Sequence, residues 1–127
     1  MIWKDVVSKG RKNVLILEDD ILFIKESLSR LEIVLSNLPK DYDVVSLEDG
    51  AGLHASRYGI KMTEDKCLYK IPDGRMRCTG AYIISNECCA KLVQLNKKKR
   101  YTLEIDMQMW LYGSLGLLNM YWAEPHV

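Results

Sequence analysis

Three carboxylates, Glu18, Asp19 and Asp20, follow directly on the apolar run Asn13-Val14-Leu15-Ile16-Leu17. Oxygen ligands of this kind suit a hard divalent cation and, through it, phosphate oxygens. Side chains alternate along an extended chain, which sends Glu18 and Asp20 to one side and Asp19 to the other. Two carboxylates on one side repel until a cation, a basic neighbour or a bound proton relieves them, and the adjacent sequence offers no obvious basic partner. Asp20 also reads as the cap of a helix starting at Ile21. A further acid, Asp106 in Thr102-Leu103-Glu104-Ile105-Asp106-Met107, stands where a short helix begins, so it fits a cap, a catalytic acid-base group or both.

Other motifs carry less chemistry. The small residues Thr79-Gly80-Ala81 allow a ligand to approach the backbone, or a neighbouring element to pack tightly against it. Gly50-Ala51-Gly52 has the look of a phosphate loop, but no helical pattern follows it and a plain loop is expected. Cys67, Cys78, Cys88 and Cys89 form no Cys-x-x-Cys pair, and the adjacent two read as small apolar residues on a helix, which favours a reducing compartment.

The elements that must position these residues follow from periodicity. An apolar run without polar alternation suits a strand buried on both faces of an α/β sheet, whose ligands gather beyond the carboxyl ends of the strands. A helix over Ile2 to Lys9 with a stop at Gly10 precedes it. Ile21, Ile24, Leu28, Leu31, Leu35 and Leu38 predict an amphipathic helix from Ile21 to Leu38, ended by Pro39. Asp43 to Leu47 reads as a second strand, also followed by acids, Glu48 and Asp49, and then by an irregular, glycine-marked segment through residue 66. Cys67–Ile71 and Met76–Ser85 read as a hairpin about Pro72-Asp73-Gly74. A helix from Glu87 to Leu95 with Ser85 or Asn86 as cap, a short helix with Met109 and Tyr112 facing the core, and a strand from Leu117 to Ala123 complete the chain.

At 127 residues and 48% hydrophobic, the whole of 1–127 is expected to form one domain with a single sizeable core. A net charge of +1 gives no field for nucleic acid or an acidic membrane, and Lys97-Lys98-Lys99-Arg100 reads as a solvated turn. No apolar stretch approaches the roughly 20 residues of a membrane span, and Met1 to Asp5 lacks the apolar core of a signal peptide. The expectation is a soluble, cytoplasmic protein.

The opening strand and its acid pair resemble the receiver domain of response regulators. A receiver, however, needs a further strand and helix before its phosphorylated aspartate and a lysine after its last strand, and neither is present here. A receiver-like signalling domain therefore stays a remote alternative. A second resemblance runs through nearly the whole chain. Leu17-Glu18-Asp19-Asp20, Asp43-Val44-Val45-Ser46-Leu47, Gly80-Ala81-Tyr82-Ile83-Ile84-Ser85 followed by Ala90-Lys91-Leu92, Ile105-Asp106 and Pro125 resemble, in order and spacing, the motifs of glycosyltransferase family 25. That family includes bacterial lipooligosaccharide galactosyltransferases and procollagen galactosyltransferases.

The resemblance implies an α/β, GT-A-like mixed sheet with flanking helices. It also implies transfer of a hexose, galactose or glucose, from a UDP-sugar to a saccharide or hydroxylysine-type acceptor, with inversion. Mn²⁺ or Mg²⁺ would be held by Glu18 and Asp20, with His126 as a further ligand. Glu18, Asp19, Asp20, Gly80, Ala81 and Tyr82 would meet the donor, and Asp106 would be the general base. Family members begin with another strand and helix, which carry an Arg-rich segment that contacts the nucleotide, and they continue past the position of Val127; Glu104 stands where they often have proline. These departures leave a catalytically inactive remnant or a binding domain as the alternative, and they predict an exposed sheet edge open to self-association.

Overall fold

The computed structural model describes residues 2–64, 66–98 and 103–127. Thr102 and part of the basic run, Lys99 and Arg100, lie outside the described residues. Five strands, β1 (Asn13–Leu17), β2 (Val44–Ser46), β3 (Leu68–Lys70), β4 (Ala81–Ser85) and β5 (Met120–Ala123), form one mixed sheet in the order β1-β4-β2-β5-β3. β4 runs antiparallel to both β1 and β2, β2 runs parallel to β5, and β3 is antiparallel to β5. β1, β2 and β5 therefore point the same way. Their carboxyl ends, and the amino end of β4, form one rim that carries Glu18, Asp19, Asp20, Glu48, Asp49 and Glu124.

Four helices flank the sheet, α1 (Ile2–Ser8), α2 (Ser27–Ser36), α3 (Asn86–Lys98) and α4 (Ile105–Ser114). Alternation along the strands divides the core in two. On one face Ile16, Val44, Tyr82, Ile84 and Met120 pack with Trp3 and Val6 of α1, Cys88, Cys89 and Leu92 of α3, and Met109 and Tyr112 of α4. On the other, Val45, Leu47, Ala81, Ile83 and Tyr121 pack with Val34 of α2. This is an α/β architecture of helices on both faces of a mixed sheet. The Cys88-Cys89 pair belongs to the core, and burial pushes both thiols up, that of Cys89 to about 11. Met109 and Tyr112 are buried as their spacing predicts. Ser85 caps α3, its Oγ accepting the Cys88 N–H at 3.0 Å, so the chain turns from strand to helix without a linker.

Several expectations are corrected. β1 is an edge strand, paired with β4 alone, and Leu15 and Leu17 are 38% and 40% exposed instead of buried on both faces. An unbroken apolar run reports side chains that favour burial; it says nothing about whether a neighbour pairs with the backbone. The helix expected from Ile21 begins only at Ser27, and the preceding stretch leaves Leu22 91% exposed. The Pro72-Asp73-Gly74 turn forms, with the Gly74 N–H donating to Ile71 O at 3.0 Å, but no hairpin follows. β3 pairs with β5, and residues 75–80 lie outside β4, with the side chain of Arg77 fully buried. β3 and β4 thus end up with β5 and β2 between them. The last strand is shorter than expected, starting at Met120, and Gly50–Gly52 forms a 3₁₀ turn followed by a second 3₁₀ turn, Ala55–Tyr58, with no α-helix behind it.

Candidate active site

The acidic rim is built by the strand ends. Glu18 extends the β1–β4 ladder by one residue, its N–H donating to Gly80 O at 2.8 Å, and its Oε1 accepts the Thr79 hydroxyl at 2.9 Å. Glu48, two residues past β2, reaches the same place from the neighbouring strand. Its Oε1 accepts the Gly80 N–H at 2.7 Å and the Ala81 N–H at 3.4 Å. A Cβ on Gly80 would lie 2.6 Å from Glu48 Oε2 and 2.7 Å from Ile21 Cδ1. The small residue at position 80 therefore makes room for a carboxylate, and of the two readings of Thr79-Gly80-Ala81 the structure supports tight packing.

Burial pushes the Glu48 carboxyl above its ordinary value, and the Glu18 charge adds to this; the Ala81 and Gly80 amides and Arg77 oppose it. Next to Thr79, Cys78 holds a left-handed backbone, φ 58°, and exposes its side chain. Its thiol is pushed up by burial and then by the charges of Glu48, Asp106 and Glu18. The charges of those three carboxylates, two from the ends of β1 and β2 and one from the first turn of α4, thus all bear on the Cys78 thiol, and this side of the rim is an acidic mouth.

Asp106 enters the mouth from the first turn of α4. The cap position is Glu104, whose side chain makes no capping bond, and Asp106 Oδ1 accepts the N–H of Met107 at 2.7 Å. Its second oxygen is left for other partners, and a carboxylate at a helix amino end is favoured by the helix dipole. Asp19 and Asp20 are exposed at the rim. Since the helix after β1 starts only at Ser27, with Glu26 at its cap position, Asp20 does not cap it, and that reading is removed.

Other expected site residues are placed elsewhere. The Tyr82 side chain turns into the core beneath α1, where its hydroxyl accepts Trp3 Nε1–H at 3.4 Å and burial pushes it up to about 12. Only the backbone at Gly80 and Ala81 borders the mouth, where their N–H groups already serve Glu48. His126 is held by its carbonyl, which accepts from Arg30 Nη1 at 2.7 Å, while Val127 N–H donates to Leu47 O at 2.7 Å. Among the described residues no three His, Cys, Asp or Glu side chains stand close enough to hold a metal ion, so Glu18, Asp20 and His126 do not form a closed protein cage. An exposed, oxygen-only set of one or two carboxylates does fit Mg²⁺ or Mn²⁺ that arrives already bound to phosphates.

Sequence reasoning assigned no role to Glu48 or to the buried pair behind it. Arg77 is fully buried, and Nη1 meets Glu124 Oε1 at 3.2 Å and Leu53 O at 3.2 Å. Nη2 donates to Ser46 O at 3.1 Å and Ala123 O at 3.0 Å, and the guanidinium lies over the Trp122 ring at 4.9 Å. It ties the ends of β2 and β5 together directly under Glu48. An arginine inside the strand expected over Met76–Ser85 was the available signal.

No helix among the described residues is long and apolar enough to cross a membrane. The family model that matches this chain is described as glycosyltransferase family 25 (LPS biosynthesis protein) and covers residues 1–109, a stretch that contains Glu18, Glu48 and Asp106. The comparison with curated proteins returned no match.

Proposed function

The chain belongs to glycosyltransferase family 25, and from that premise we propose that it transfers a hexose, galactose or glucose, from a UDP-sugar to an acceptor hydroxyl with inversion. The observation that carries this reading is the meeting of Glu18 and Glu48 at Thr79 and Gly80, next to Cys78, whose thiol also feels the charge of Asp106. It supports a division of labour between acids on one rim, and the mixed sheet with that rim at its strand ends supports a GT-A-like reading of the fold.

Asp106 is the general base. Inversion in one displacement requires the acceptor oxygen to attack the anomeric carbon opposite the leaving diphosphate, and a carboxylate must take the hydroxyl proton as the bond forms. The acceptor, a saccharide or hydroxylysine-type hydroxyl, lies against the first turn of α4, with the donor diphosphate toward the exposed Asp19 and Asp20. Glu18 and Asp20 would hold a divalent cation that comes with the diphosphate, and such a cation neutralises charge on the leaving group. Glu48 stays behind the surface, holding the Gly80 and Ala81 amides so that the β4 end cannot drift into the mouth.

The test is a pair of variants measured for binding and for turnover. Titration calorimetry with UDP and Mn²⁺ should show metal-dependent binding that Asp20→Ala weakens. Asp106→Asn should keep that binding while turnover of UDP-galactose or UDP-glucose falls by about 10²–10⁴. Undiminished turnover in Asp106→Asn would remove Asp106 as the base, and equal metal-dependent binding in Asp20→Ala would remove the rim as the donor site.

A further inference from the structure

Arg75 stands beside the mouth in an arrangement that the transfer reaction, as described, does not use. The turn that carries it is jammed against α4, because Gly74 and Gly113 approach so closely that a Cβ on either would strike the other's backbone. Gly74 holds φ 63°, and the Arg75 carbonyl accepts Trp122 Nε1–H at 2.9 Å, so the backbone is fixed on both sides. The guanidinium lies over two rings, 4.4 Å from the centroid of Trp110 and 5.3 Å from that of Tyr58. Asp73 Oδ2 lies 3.3 Å from Nε, on the stem side, while its Oδ1 accepts the Arg75 N–H at 3.1 Å. Among the described residues the two terminal nitrogens meet no acceptor, and the side chain remains 32% exposed.

A guanidinium placed over aromatic rings, with its terminal nitrogens meeting no acceptor among the described residues, has less rotamer freedom to lose and matches a planar or tetrahedral oxyanion with two parallel N–H donors. Its place relative to the chemistry follows from α4. Trp110 is four residues after Asp106, hence on the same helix face one turn along. The fork therefore lies about one helical turn and one stacking distance from the candidate base, a gap that one sugar ring bridges. Glu18, Glu48 and Asp106 make the rest of the mouth repel anions, so a negative group on the acceptor is accepted at Arg75 and disfavoured at the acids. The neighbouring Arg77 cannot take that role, since it is buried and bonded to the strand ends.

We infer that Arg75 is the anion-reading subsite for the acceptor, which is accordingly an acidic saccharide bearing a phosphate or a carboxylate near the hydroxyl that receives the sugar. This rests on the transferase reading above for the word acceptor, but the binding itself does not. The test is therefore made without donor. The indole N–H resonance of Trp110 is followed while glucose 6-phosphate, methyl glucuronide, methyl glucoside or inorganic phosphate is added to the full chain. At least one acidic sugar should shift it saturably, the neutral glucoside should not, and the stronger of the two acids names the anion. Binding of inorganic phosphate as tight as that of the sugars would overturn the saccharide assignment.

Arg75→Gln should weaken acid-sugar binding by at least tenfold. Asp73→Asn keeps the turn oxygen and removes the competing charge, and it should tighten binding several-fold, which an arginine serving only as packing would not do. Equal affinity of wild type and Arg75→Gln would overturn the inference, as would no gain in Asp73→Asn, and the second holds even if Arg75→Gln fails to fold. Acid-sugar binding without any turnover would sink the transferase reading and leave the subsite standing. Turnover indifferent to acceptor charge would do the reverse.

Discussion

Replacing Arg77 by methionine should be among the most damaging single changes in this protein. The substitution keeps the long stem and its apolar contacts and deletes only the guanidinium. What it leaves behind sets the magnitude. Ser46 O, Ala123 O and Leu53 O each lose the bond from Arg77, and among the described residues the buried Glu124 carboxylate keeps the Ala55 N–H at 3.1 Å and His54 at 3.5 Å. Arg77 itself tolerates burial because Glu124, Asp49 and Glu48 offset the desolvation that pulls its proton affinity down. Breaking a buried ion pair by removing one partner costs about 3–5 kcal/mol, mostly through the charge left alone. For a chain of this size that corresponds to a drop of about 10–20 °C in Tm. Urea titration of wild type, Arg77→Met, Glu124→Gln and the double variant is the assay. The double variant should be more stable than the sum of the single losses predicts, because the stranded carboxylate is gone. A loss below about 1 kcal/mol for Arg77→Met, or strict additivity, would refute the view that this pair holds the β2 and β5 ends together under the mouth.

Other outcomes follow from single residues. The folded-state carboxyl of Glu48 is raised, so the folded chain keeps a proton that the unfolded chain has lost. Stability from this group is then full below the ordinary glutamate range and declines as pH rises through the raised value. Glu48→Gln should flatten that decline in thermal melts taken across pH, with a gain at neutral pH that solvent screening holds to about 1 kcal/mol or less. Gly74→Ala combines left-handed strain with a collision against the Gly113 backbone and should cost about 2–4 kcal/mol by urea titration. Gly10→Ala, left-handed but with nothing within 4 Å, should cost only about 1–2 kcal/mol. The free edge of β1 with exposed Leu15 and Leu17 should make the chain self-associate as its concentration rises in sedimentation experiments, and Leu15→Lys should suppress this.

The local features of the site were legible in the amino-acid sequence because they depend on neighbours along the chain. The apolar run that ends in Glu18-Asp19-Asp20, the strand before Glu48, the Ser85 cap and the acid opening α4 are each written within a few residues, where periodicity and capping chemistry act. What surrounds them was decided by contacts far apart in sequence. Arg77 finds its carboxylate 47 residues away, and residues 76–80, expected in one strand with Ala81–Ser85, lie outside it. β1 is apolar enough for the middle of a sheet yet stands at its edge, since strand order is set by which backbones pair and not by hydropathy. The same holds for the mouth. Only the shared direction of β1, β2 and β5 puts Glu18 and Glu48 on one rim, and only the packing of α4 lets the charge of Asp106 reach Cys78 beside them. Side-chain type is local, but the convergence of charges is a property of topology.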